Sequence, residues 1–222
     1  MKNIRILATV VVALGAASSQ ARPAGTAAAW SVMSGETTGY GNTVFWGQGG
    51  FPGFSATLLH GITDKVDLGG RLSFTYGYGE TPSSIQPGLK AQGVARFQLA
   101  DTGKVRFALH FEPGMVMYFI SRPAFFGGTY TQVGIALPAG LEIGIPISRE
   151  VVFNVGMDIP LFIVFGDLSG AVVPILFGGG VEYFFDPKLA LTFALKGGPQ
   201  IYTRGGGADF GLNALLCIAM KF

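Results

Sequence analysis

The chain has 222 residues, of which 35 are glycine and 19 phenylalanine, while Lys+Arg (15) and Asp+Glu (13) make up only 13% of it and hydrophobic residues 49%. That is about half the charge of an ordinary soluble domain, too little to cover a globular surface, and the aromatic content is too high for a solvated disordered chain. A helical membrane protein is excluded by the 12 prolines and 35 glycines scattered through the apolar stretches, a density that helices do not tolerate. What remains is an apolar chain of short extended pieces, which points to a closed sheet in a membrane.

At the N-terminus, Lys2 and Arg5 precede an apolar run over 6–17, and Ser19, Gln20 and Ala21 place small residues where a signal peptidase reads them. We expect a secretory signal peptide over 1–21, cleaved after Ala21, and one domain over 22–222. The apolar run is too short to span a bilayer as a helix. Losing Lys2 and Arg5 leaves basic and acidic residues in balance, and no basic stretch concentrates charge anywhere, so no nucleic-acid partner is expected. The single cysteine, Cys217, cannot form an internal disulfide. His60 and His110 are the only histidines, with no cysteine pair and no carboxylates clustered at ligand spacing, so neither a metal nor another cofactor is expected.

In chain order, the first strand falls at 26–33 or at 43–48, and the second at 54–62, ahead of a turn at Thr63, Asp64 and Lys65. Further short turns of Asp, Gly, Pro or Ser type fall at 101–104, 148–150 and 186–188. Longer polar or glycine-rich breaks fall at 77–88, 121–128, 166–170 and 203–209, with a less defined one at 47–53. Short turns thus alternate with longer loops, the asymmetry of membrane barrels.

Between the breaks the residues alternate with a period of two, which only a strand has. Over 105–119, Phe107, Leu109, Phe111, Met115 and Phe119 share one face, while Arg106, Ala108, His110, Glu112, Val116 and Tyr118 share the other. The segments 68–76, 89–99, 133–147, 151–165 and 189–201 repeat the pattern. In the clearest strands the apolar face carries no charge, whereas the opposite face carries Arg71, Lys90, Arg96, Arg106, Glu112, Glu142, Asp158, Glu182, Lys196 and Lys221. That second face is also rich in Gly and Ala, as expected where strands crowd around a narrow lumen. Because an unpaired edge is excluded in hydrocarbon, the sheet must close. The expected fold is therefore all-β, a closed antiparallel up-and-down transmembrane β-barrel. Ten strands are favoured, and eight follow if the region up to residue 62 is a plug or an extension.

The last strand places Phe210, Leu212, Ala214, Leu216, Ile218, Met220 and Phe222 on one face and ends on an aromatic. With the signal peptide and the alternating strands, it resembles the C-terminal insertion signal of small Gram-negative outer-membrane β-barrel proteins of eight or ten strands. The resemblance implies an outer-membrane location and recognition by the barrel-insertion machinery through Phe210, Leu212, Leu216, Ile218, Met220 and Phe222. It also implies contact with outer-membrane lipids and lipopolysaccharide, and a monomer. Lys90, Arg122 and Arg204 are the candidates for lipid contact near the outer rim. Tyr76, Tyr78, Tyr118, Phe119, Phe125, Phe126, Tyr183, Phe185 and Tyr202 are read as interface aromatics, and Phe184 as core.

A barrel this small fills its interior with side chains. The lumenal charges should pair, because an unpaired buried charge is costly. A polar, largely plugged lumen with a structural role is the expected function. The alternative, a narrow, weakly anion-preferring pore, rests on six lumenal bases against four acids. No enzyme is expected. His110 beside Glu112 is read as a member of a polar network, His60 lies next to a turn, and the serine pairs at 18–19 and 83–84 have no base nearby in sequence. The glycine triplets at 178–180 and 205–207 lack the Lys-Ser/Thr ending of a phosphate loop.

Overall fold

The computed structural model describes residues 30–121, 129–166 and 169–222. Its strand segments, all in one sheet, are β1 (Thr43–Phe51), β2 (Gly53–Thr63), β3 (Val66–Tyr78), β4 (Thr81–Asp101), β5 (Arg106–Phe111), β6 (Gly114–Ser121), β7 (Thr129–Pro146), β8 (Val151–Val164), β9 (Gly170–Pro174), β10 (Leu176–Asp186), β11 (Leu189–Tyr202) and β12 (Ala208–Lys221). β5 and β6 are one strand in two pieces, both paired with β4 and β7 in a common register on either side of Glu112 and Pro113. Pro113 has no amide to give the ladder, which is why the interruption falls there. β9 and β10 are likewise one strand, interrupted at Ile175. The ring therefore has ten strands, all neighbours antiparallel, and β1 closes it against β12 from Val44↔Lys221 to Phe51↔Ala214.

The first strand is 43–51, and residues 30–38 lie inside the ring instead of within it. The four short turns gather at one end of the barrel together with the start of β1 and the end of β12. At the other end the expected loop over 77–88 is mostly strand. β3 runs to Tyr78 and β4 starts at Thr81, joined by a turn in which Gly79 has φ +63°, a conformation suited to glycine. A strand that projects past the apolar belt needs no apolar face, so Thr81, Pro82 and Gln86 read as loop although their backbone is in the sheet. The expected break at 121–128 lies largely outside the described residues.

Alternation sends Leu58, Leu72, Phe74, Leu89, Met115, Phe177, Phe193, Leu195, Leu216 and Ile218 outward, where they are exposed. Their inward-facing neighbours are buried, many of them small, polar or charged, with apolar exceptions such as Leu59, Val116, Leu176 and Leu215. A continuous apolar belt of this kind has no stable place in water. No helix among the described residues is long and apolar enough to cross a membrane.

Leu72, mid-strand and 68% exposed on the outer face, tests the direction of the belt. Leu72→Arg should destabilise the barrel in lipid vesicles by about 2–4 kcal/mol in urea titrations. The adjacent lumenal change Ser73→Ala should alter stability by less than about 1 kcal/mol.

Candidate functional site: the lumen

Strand register decides how charged side chains fit inside. His110 on β5 lies opposite Gly140 on β7, which lies opposite Asp158 on β8. In the next row, Glu142 faces Gly156, Gly178 and then Lys196 across successive strands. A methyl group at Gly140 would overlap Asp158 Oδ1 and His110 Nε2, and one at Gly156 would overlap Glu142 Oε2. The glycines of the polar face are thus gaps in the wall into which long polar side chains lie down.

The charges are placed in pairs. Lys196 Nζ donates to Glu142 Oε1 and, at 2.8 Å, to Asp158 Oδ2. His110 Nε2 stands 3.4 Å from Asp158 Oδ1. Arg71 donates from Nη1 to Glu112 Oε2 at 2.6 Å and from Nε to Thr57 Oγ1 at 2.9 Å. Arg96 holds Asp67 Oδ2 through Nε at 2.9 Å and Nη2 at 2.7 Å. Lys90 has Glu80 as its nearest carboxylate, at 4.0 Å. His110 and Glu112, adjacent on one face, turn to different partners.

One end of the lumen is closed by residues 30–38. Trp30 Nε1 donates to the Pro187 carbonyl at 2.8 Å, and the Trp30 ring meets Phe184 edge-on at 5.3 Å. Glu182, fully buried, accepts from Ser31 Oγ at 2.5 Å and from the Val32 amide at 2.8 Å. Arg96 Nη1 donates to the carbonyls of Ser31 and Val32. Arg106 pairs with Glu36 at 2.9 Å, and Thr38 donates through its amide and hydroxyl to Asp67. Glu182 thus pairs with the plug, and Arg106 divides itself between Glu36 of the plug and Asp101 at the end of β4, 3.5 Å away. Nothing periodic marks residues 30–38 in the sequence, and Glu36 was missed for that reason. Asp67 was legible, because it shares the phase of Arg71, Ser73 and Thr75.

The other end is narrowed by the turn between β3 and β4. The Glu80 amide donates to Gln200 Oε1 at 2.8 Å, the Leu212 amide to the Glu80 carbonyl at 2.7 Å, and Gln200 Nε2 to Thr81 Oγ1 at 2.5 Å. Tyr78, Tyr118 and Phe162 stack beneath it, with ring centroids 4.9–5.7 Å apart. Tyr78, Tyr118 and Tyr202 are therefore not interface aromatics. They face inward beyond the belt, where polar tips find partners such as the Gly79 amide and Thr81. Tyr183 and Phe185 do face outward, and Phe184 is core. Between plug and cap lies a cavity of about 170 Å³ whose walls include Arg71, Lys90, His110, Glu112, Asp158 and Lys196.

Among the described residues, Glu36, Asp67 and Glu80 join Glu112, Glu142, Asp158 and Glu182 in the lumen, so carboxylates outnumber Arg71, Lys90, Arg96, Arg106, Lys196 and Lys221 by one. Among these residues the expected positive excess is reversed. Lys90 points inward and is no lipid contact, whereas Arg204 is exposed at the outer rim. His60 lies on the outside, with Nδ1 2.9 Å from Thr43 Oγ1. Phe210, Leu216, Ile218, Met220 and Phe222 face outward and are exposed, with Leu212 half-buried among them. Ala21, Arg122, Phe125 and Phe126 lie outside the described residues.

Fold and lumen together define the class: a closed ten-strand antiparallel β-barrel, apolar outside and ion-paired within. No protein-family model and no curated protein matches the chain. Among solved structures, the N-terminal β-barrel domain of Pseudomonas aeruginosa OprF is similar, with 12% identity and a TM-score of 0.45 over 83% of this chain and 99% of that chain.

Arg96 ties wall to plug, and its loss would leave fully buried Asp67 without its cation. Arg96→Ala should cost about 3–5 kcal/mol in urea unfolding, and the apolar double change Arg96→Met with Asp67→Leu should recover only part of it, because the Thr38 donors and the Ser31 and Val32 carbonyls stay unpartnered.

Proposed function

We propose that this chain is a small integral outer-membrane β-barrel protein with a structural role, its lumen a polar core closed to the passage of solutes. The observation that carries this reading is the packing of residues 30–38 into one end of the lumen by Glu182, Arg96, Arg106 and Asp67. The apolar belt, the closed ring and the outward-facing terminal strand support the membrane assignment. In this reading β12 is the handle for the barrel-insertion machinery and the belt contacts membrane lipid. Arg204 stands at the rim for lipopolysaccharide, and a ring without an edge has no need of a second copy. The reading is non-enzymatic: His110 and Asp158 sit in a cluster with Lys196 and Glu142. An anion-preferring passage loses its motive once the lumenal carboxylates are in excess.

Planar-bilayer recording tests this, after heat-modifiable gel migration has verified the folded barrel. The chain from residue 22 should give no conductance steps, and a variant lacking 22–38 should give them. Resolved steps from the intact chain would refute a closed lumen.

A further inference from the structure

We infer that the lumen contains a binding site for a divalent transition metal, zinc in the first instance, formed by His110, Glu142 and Asp158. One potential ligand atom from each of the three lies within 4.8 Å of the others, brought together from β5, β7 and β8. The decisive feature is which atoms are already engaged. Lys196 takes one oxygen of each carboxylate, Glu142 Oε1 and Asp158 Oδ2. The other two, Glu142 Oε2 and Asp158 Oδ1, are buried and make no hydrogen bond, and Glu142 as a residue is only 6% exposed. Buried acceptors are rarely left in that state. His110 Nε2, at 3.4 Å from Asp158 Oδ1, is too distant for a good hydrogen bond.

The wall is shaped for the cluster. His110 and Asp158 flank Gly140, and Glu142 lies against Gly156, the two positions where a side chain would occupy the space of the ligand atoms. One ammonium against two carboxylates leaves a net negative charge at the site, which a cation relieves. Lys196 does not compete for the free oxygens. It fixes the orientation of both carboxylates, as carboxylate partners do around metal ligands. An imidazole nitrogen with two carboxylate oxygens suits zinc, which takes three protein ligands and leaves a fourth position open. Zinc–ligand distances of about 2.0–2.2 Å require the three atoms to draw inward, for which the adjoining cavity leaves room. That cavity also reaches Gln48 and Ser55 near the turn between β1 and β2.

The site is tested with tag-free refolded barrel, stripped with chelator and titrated with zinc chloride by calorimetry, and with cobalt(II) to read nitrogen and oxygen coordination from its visible bands. Wild type should bind one metal per chain. Gly140→Ala and His110→Ala should each weaken binding by roughly tenfold or more, and His60→Ala should leave it unchanged. Heat-modifiable migration establishes that each variant is folded, and His110→Gln replaces any that is not. Absence of stoichiometric uptake by wild type would overturn the site. So would uptake that both His110 and Gly140 substitutions leave intact.

Discussion

The rest of the structure depends on one requirement, that a sheet with an apolar outer face must leave no backbone amide unpaired. The β1–β12 ladder meets it, and the other features follow from the ring it closes. In a closed ring with side chains alternating in and out, one face of every strand is committed to the exterior, so every strand charge that is tolerated must turn inward. Ten strands leave a narrow interior in which an unpaired charge is costly, so the charges find one another. Glycine is then the residue that makes pairing geometrically feasible. The row from Glu142 through Gly156 and Gly178 to Lys196 is two long side chains laid across two missing ones.

Those pairs are better understood as devices of specificity than of stability. A buried ion pair roughly recovers its own desolvation, while an unpartnered member is strongly unfavourable. What the network does is define which strand and which segment belong where. Arg96 shows this, because one guanidinium engages Asp67 on the neighbouring strand and two carbonyls of residues 30–38. A slip of β3 by one residue would turn Asp67 outward and leave Arg96 without its anion.

Much of this was legible in the sequence, and what was not has a physical reason. Alternation over 105–119 and 133–147 placed Arg106, His110, Glu112 and Glu142 on the inner face, because a period of two is a local property. The short turns were equally local. Residues 30–38 carry no period, since they make no ladder and are held by side chains of distant strands. Tyr78 and Tyr118 misled for a related reason: an aromatic near a strand end reads the same whether it faces lipid headgroups or caps a lumen. The His110, Glu142 and Asp158 cluster was hidden because register, not spacing along the chain, brings the three together through Gly140.

Charge balance connects these points. Counting strand residues alone gave a lumen with excess positive charge, but the plug brings Glu36, the β3–β4 turn brings Glu80, and the start of β3 brings Asp67. Glu36 and Glu80 come from places where periodicity is weakest and Asp67 from just ahead of the 68–76 segment, so a sequence count is biased toward the bases in strand centres. With them included the described lumenal residues are short of one positive charge, and the deficit is not spread evenly. Glu36 has Arg106, Asp67 has Arg96 and Glu112 has Arg71, whereas Glu142 and Asp158 divide a single ammonium. The shortfall is concentrated at Glu142 Oε2 and Asp158 Oδ1, the two buried oxygens that Lys196 leaves without a hydrogen-bond donor.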